Sequence, residues 1–200
     1  MRKHDAWLVD LDGTLYQPKP LKLVMAAHMA VSGPRAIRII RQFRKEHEAI
    51  RAAMLGCDPS PFEEQLLRTA RALAVERDEV LVTVNRFMFE RPLPWLRRLK
   101  RNDLLREIAS FREDGGRTAI VSDYPASAKL AALEVTTLFD RIVASGEPDG
   151  PTRLKPAPDG FLLAAKALGV EPSRCLVIGD RLDADGDAAR AAGMEFRLIR

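Results

Sequence analysis

The apolar run Ala6–Val9 lies between a polar leader and the segment Asp10-Leu11-Asp12-Gly13-Thr14, and it reads as a short buried strand that ends on a turn. From that turn to about residue 101 the apolar positions shift to helical spacing. Within residues 36–54, Ile37, Ile40, Phe43, His47, Ile50 and Met54 recur at intervals of three and four with charge opposite, which predicts an amphipathic helix after the Gly33-Pro34 break. Cys57-Asp58-Pro59-Ser60-Pro61 is a second break, with Ser60 placed to cap a helix over residues 61–75 and Pro61 at its first position. A third helix is expected over 77–89, and Pro92 and Pro94 mark a return crossing. A helix over 103–114 then stops at Gly115-Gly116.

After residue 116 the pattern alternates. Strands are expected at 118–122, Arg141–Ala144, Cys175–Gly179 and 196–199, with helices at 125–133, Asp159–Leu168 and 187–192 between or behind them. Short apolar strands separated by helices imply a parallel sheet covered on both faces, an α/β, Rossmann-like doubly wound core. The first strand is buried only if it joins this sheet. Residues 1–14 and 102–200 are therefore expected to form one core domain, and 15–101 an inserted α-helical cap domain. There is no internal repeat, low-complexity tract or Gly/Ser linker.

Composition narrows the class. With 200 residues and 46% hydrophobic content, the chain can bury a sizeable core. No apolar run approaches the ~20 residues of a membrane span, and the stretch before Asp10 is too short for an export signal. Cys57 and Cys175 match neither a disulfide framework nor a zinc spacing. The expectation is a cytoplasmic protein without membrane association, a monomer or weak homodimer. Charge is uneven: residues 13–101 carry 17 Lys and Arg against 9 Asp and Glu, and the remainder 15 against 19. A basic insert in an acidic frame is a solvated helical surface or a lid that attracts an anionic substrate. Its basic residues are little interleaved with aromatics, so no nucleic acid is expected.

The candidate chemistry starts at Asp10 and Asp12. Two carboxylates this close repel unless a cation lies between them or one keeps its proton, and either condition suits catalysis. Parallel strands bring their C-terminal ends to one edge, so Asp10, Asp12, Ser122 with Asp123, Lys155 and Asp180 should converge there. A phosphoryl displacement needs that set: a nucleophile, a proton carrier for the leaving oxygen, and positive or hydrogen-bonding groups around the phosphoryl oxygens. Asp10 would attack, Asp12 would carry the proton, and Ser122 with the Asp123 amide would bind a phosphate oxygen. Lys155 would offset charge. Mg²⁺ would be held by Asp10, Asp180 and the backbone carbonyl of Asp12. An EF-hand calcium-loop reading of residues 180–187 fails on register, because with Gly186 at the sixth position both end ligands are missing.

These elements, in order, resemble the haloacid dehalogenase superfamily. D-x-D-G-T is Asp10 to Thr14, the strand-end serine is Ser122, the loop lysine is Lys155, and G-D-x-x-x-x-D runs from Gly179 through Asp185. The resemblance covers the core nearly end to end and points to the phosphatase branch with a helical cap after the first motif, similar to phosphoglycolate phosphatases. It implies a nucleophilic Asp10, an acid/base Asp12, an aspartyl-phosphate intermediate, and Mg²⁺ on Asp10, Asp180 and the Asp12 carbonyl, with Asp185 supporting the metal. Asp183 is ambiguous: the five-residue spacing after Asp180 selects Asp185 and leaves Asp183 as a loop-capping carboxylate, with metal support by Asp183 the alternative. Gly13 and Thr14 would shape the loop around the nucleophile. Dehalogenases of the superfamily lack an acid at the Asp12 position, which points away from dehalogenation.

The function expected is Mg²⁺-dependent hydrolysis of a small phosphorylated metabolite, a phosphomonoester. A phosphomutase uses the same aspartates, and a binding or regulatory protein using the basic cap is a third possibility. His28 and His47 fall on helical patterns and are expected to pack rather than react. Trp7 and Cys175 are expected in the core, with Cys175 inert. Hinges for cap closure are expected near residues 15–21 and 92–101.

Overall fold

The computed structural model describes residues 3–30 and 32–199. Five strands, β1 (Ala6–Val9), β2 (Arg117–Ser122), β3 (Arg141–Ala144), β4 (Cys175–Gly179) and β5 (Glu195–Leu198), form one sheet in the order β3-β2-β1-β4-β5. Every pairing is parallel, and β1 is central, with Val9 opposite both Ile120 and Ile178. The chain winds outward from β1 to β3 and then crosses to β4, so the order reverses beside β1. Such a switch point opens a crevice beyond the strand ends, and Asp10 stands at its lip.

Alternation along β1 divides the core. Val9, with Ile120 and Ile178, packs against Leu104, Leu105 and Ile108 of α6 (Asn102–Glu113) and Leu130 and Leu133 of α7 (Ser127–Leu133), while Leu8 faces the opposite layer. That layer holds Phe161 and Ala164 of α8 (Asp159–Leu168) and Ala188 and Ala189 of α9 (Asp187–Ala191). Trp7 is only half-buried and stacks on Phe111 with ring centroids 4.3 Å apart.

Between β1 and α6 run five helices, α1 (Pro18–Ala30), α2 (Pro34–Ala53), α3 (Pro61–Leu73), α4 (Arg77–Val84) and the short α5 (Leu93–Leu96). The first four share a core built from Ile39, Phe43, Leu66, Val80, Val84, Phe87 and Phe89, while Leu96 of α5 packs into the layer under β1. Ser60 caps α3, its hydroxyl accepting from the Glu63 amide at 3.2 Å. The two chain crossings into this insert are bonded to each other, Gln17 N to Leu99 O and Arg101 N to Leu15 O, both at 2.9 Å. At its other end the insert reaches the sheet's loops, with Cys57 N on Thr152 O at 2.8 Å and Phe62 N on Ser145 Oγ at 3.1 Å.

Two elements depart from the expected pattern. The helix expected over 77–89 ends as α-helix at Val84 and continues as a π-helical stretch, Asn85–Glu90, whose wider turn lets both Phe87 and Phe89 reach the insert's core. Helix α1 had no boundary in the apolar spacing, because its apolar residues lie all round it: Leu21 is buried while Leu23 is 75% exposed.

Candidate active site

Asp10 follows β1 directly, its amide bonded to Ile178 O at 2.8 Å, so the sheet ladder carries it to the crevice. Its carboxylate is fixed at both oxygens: Thr14 Oγ1 donates to Oδ2 at 2.9 Å, and the Lys155 ammonium donates to Oδ1. Lys155 is buried in the loop after β3 and also bonds Asp185 Oδ1 at 2.7 Å. Ligand oxygens of Asp10, Asp180 and Asp185 all lie within 4.8 Å of one another. Glycines make the room, since a Cβ at Gly13, where φ is +97°, would strike the Asp180 carboxylate, and one at Gly179 would strike Asp185.

The electrostatics follow from this crowding. Burial first, then the neighbouring Asp185 charge, pushes the Asp10 carboxyl up to about 8 against the pull of Lys155. Asp180 is likewise raised, by burial and then by Asp185. Three acids held together, with one ammonium shared by Asp10 and Asp185, form an oxygen donor set with excess negative charge, which fits a hard divalent cation such as Mg²⁺.

Asp12 faces the other way. Lys129 Nζ contacts both of its oxygens at 2.6 Å, and the Tyr16 hydroxyl donates to Oδ1. Burial raises its carboxyl, but Lys129, the Tyr16 hydroxyl and the Lys155 charge together hold it below the ordinary carboxylate value. Ser122, at the end of β2, is buried, and its hydroxyl oxygen accepts from the Tyr124 amide at 3.2 Å, leaving its own proton free to donate. The Asp123 carboxylate is engaged elsewhere: Lys155 N at 3.1 Å and Arg51 Nη2 of α2 at 3.0 Å. Only the Asp123 amide is left to meet a phosphate oxygen. Its side chain links the insert to the Lys155 loop.

Asp10, Asp12, Ser122, Asp123, Lys155, Asp180 and Asp185 thus line one cavity of about 640 Å³, whose other walls come from α1, α2 and the π-helical stretch. The haloacid dehalogenase-like hydrolase model matches residues 4–193. The chain belongs to this hydrolase family. Fructose-1-phosphate phosphatase YqaB of Escherichia coli K12 is 45% identical over 75 residues, 38% of each chain. Glyceraldehyde 3-phosphate phosphatase of Methanopyrus kandleri is 30% identical over 149 residues, 73% of this chain and 54% of the relative. Both matches therefore span less than two thirds of the relative's length. In fold, the hydrolase is similar to L-2-haloacid dehalogenase of Xanthobacter autotrophicus, with a TM-score of 0.65 at 20% identity over 98% of this chain and 77% of the other.

Several pocket residues of this hydrolase carried no signal in its sequence. Lys129 is a single lysine in a helix of small and apolar residues, and the only hint of burial was that composition. Arg51 sits on the charged face of α2, yet its guanidinium reaches Asp123 and the His47 ring. His47 itself is buried, bonded to Gln65 at 3.3 Å and stacked on Tyr124 at 4.5 Å, a packed histidine whose proton affinity burial lowers. Cys175 is buried and its thiol is pushed up to about 11 by that burial, so it is unreactive at neutral pH. Asp183 lies on the rim, paired with Arg181 at 2.6 Å. Among the described residues, no helix is long and apolar enough to cross a membrane.

Proposed function

We propose that this hydrolase cleaves a small phosphomonoester through a covalent aspartyl-phosphate on Asp10, with the helical insert serving as a cap over the site. What supports the reading most is the contrast between two aspartates on one loop: one anchored among acids, the other ion-paired to a buried lysine. A carboxylate held at both oxygens by Thr14 and Lys155 is an oriented nucleophile. In the first half-reaction Asp10 attacks phosphorus, the bond to the leaving oxygen breaks, and Asp12 delivers a proton to that oxygen. A substrate dianion brought beside Asp12 raises its affinity for that proton. In the second half Asp12, ionised beside Lys129, takes a proton from water, and the water oxygen displaces Asp10 to release inorganic phosphate. Ser122 Oγ, the Asp123 amide and Lys155 would hold the phosphoryl oxygens.

Magnesium, held by Asp10, Asp180 and the Asp12 carbonyl with Asp185 beside them, would supply Lewis-acid neutralisation of the phosphoryl charge. The relatives named as phosphatases favour the hydrolytic outcome. The test is phosphate release from para-nitrophenyl phosphate with Mg²⁺ and without any bisphosphate activator. Asp10→Asn is expected to lower kcat by about 10³-fold or more while leaving the circular dichroism spectrum intact. An Asp10→Asn protein that turned over like wild type would overturn the mechanism.

A further inference from the structure

A cavity of about 640 Å³ has room for much more than a phosphoryl group, so most of it receives the leaving group. Its lining beyond the carboxylates has two unlike sides. One is apolar: Leu21, Met25 and Met29, which repeat every four residues on one stripe of α1, with Ile40, Phe87 and Met88 completing it. This wall is backed by packing, Leu21 and Met25 by the core layer under β1, and Met29 and Phe87 by the insert's own core.

Most of the polar side is already engaged. His47 is bonded to Gln65 and Arg51, Arg51 to Asp123 and Glu48, and Arg181 to Asp183. Lys22 and Arg44 also line the cavity but are exposed to water. Among the described residues no asparagine, glutamine or threonine lines it, and the Tyr16 hydroxyl is committed to Asp12. A polyol placed against this wall would lose water from its hydroxyls and gain methionine and phenylalanine contacts in return, which is unfavourable.

We propose that the leaving group is an apolar alcohol, aliphatic or aromatic, seated on the α1 wall, rather than a sugar. This rests on the phosphatase reading above, and it means that the sugar phosphate in the E. coli relative's name does not carry over to this chain. The experiment compares hexyl phosphate with glucitol 6-phosphate, the same six-carbon chain without and with hydroxyls. At least tenfold higher kcat/KM for hexyl phosphate, expressed in KM, is expected. Met25→Gln and Met29→Gln should each narrow that ratio severalfold. Equal or better turnover of glucitol 6-phosphate overturns the proposal, as does a ratio that both substitutions leave unmoved.

The corresponding non-hydrolysable phosphonates, titrated by calorimetry, read the wall independently of chemistry. If neither ester is hydrolysed, the phosphatase reading fails, and a tenfold tighter hexyl phosphonate still supports the apolar wall. Equal phosphonate affinities refute it.

Discussion

The two sides of the Asp10–Thr14 loop hold the same functional group in opposite electrical surroundings. On one side Asp10 meets Asp180 and Asp185, with one ammonium bonded to Asp10 and Asp185; on the other, among the described residues, Asp12 meets Lys129 and Tyr16 and no acid within bonding distance. Burial acts on both carboxyls in the same direction. The neighbours decide how far each follows it: at the first Asp185 adds to burial and Lys155 only partly offsets it, while at the second Lys129, Tyr16 and Lys155 together reverse it. Proximity in the chain therefore sets where the two groups stand, while residues more than a hundred positions away set what each can do. For Asp10 that residue is Lys155, and for Asp12 it is Lys129.

The largest way to break this contrast, short of removing Asp10, is to remove Lys129. It is a positioning residue, buried and touching both Asp12 oxygens. Lys129→Met is expected to lower kcat by about 10²-fold, the usual scale for disabled acid/base catalysis, with KM for para-nitrophenyl phosphate changed far less. Lys129→Arg should recover part of the loss, since a guanidinium can again serve both oxygens. Loss in KM alone, or no rescue by arginine, would mean that Lys129 serves the fold rather than Asp12.

A second test acts on the acidic side. Without metal, the folded protein holds the Asp10 proton up to about 8, whereas the unfolded chain releases it near 3.8. Between those values the folded state binds more protons, so stability falls as pH rises, by at most about 1.4 kcal/mol per pH unit. Asp12 acts with the opposite sign: its lowered value gives stability that is present above the ordinary carboxylate range and lost in acid. In EDTA the melting temperature should therefore decline from pH 5 to pH 8, and Asp10→Asn should flatten the decline. A fixed Mg²⁺ concentration, about a hundred times the dissociation constant at pH 8, should add about 2.7 kcal/mol at that pH and less towards pH 5, where protons compete for Asp10. A Mg²⁺ effect that stayed constant across this range would remove Asp10 from the metal site.

How far the sequence shows this arrangement depends on the kind of contact. The strands and the loops at their ends were legible, because short apolar runs closing on Asp10, Ser122 and Gly179 leave few topologies that bury them. Four strand and helix bounds, Ala6–Val9, Arg141–Ala144, Cys175–Gly179 and Asp159–Leu168, coincide with the expectation, and β2 and β5 differ from it by one residue. Side chains that reach the site from helices were not legible. Lys129 and Arg51 each look like a solvated charge, and only the tertiary fold brings them to Asp12 and Asp123. The π-helical stretch is hidden for a related reason: a run of Phe and Met satisfies an ordinary helical spacing, and the extra residue per turn comes from tertiary packing.

The smallest expected effect separates two acids that differ by only two positions. Asp185 is 2% exposed, accepts from Lys155 and from the Arg181 amide at 3.1 Å, and stands within reach of Asp10 and Asp180. The Asp183 side chain is 71% exposed and pairs with the Arg181 guanidinium. An exposed pair of this kind contributes little, because water and salt screen it and two long side chains lose freedom in forming it. Asp183→Ala is therefore expected to change stability by no more than about 0.5 kcal/mol and to leave the Mg²⁺ concentration for half-maximal activity within about twofold. Asp185→Asn keeps the shape but removes the charge, and it should raise that concentration by about 10- to 100-fold. Titrating Mg²⁺ against activity for both variants decides the matter. If Asp183→Ala shifted the midpoint as far as Asp185→Asn, the acidic side would extend to the rim, and the contrast across the loop would rest on total charge rather than on which carboxylates are buried beside Asp10.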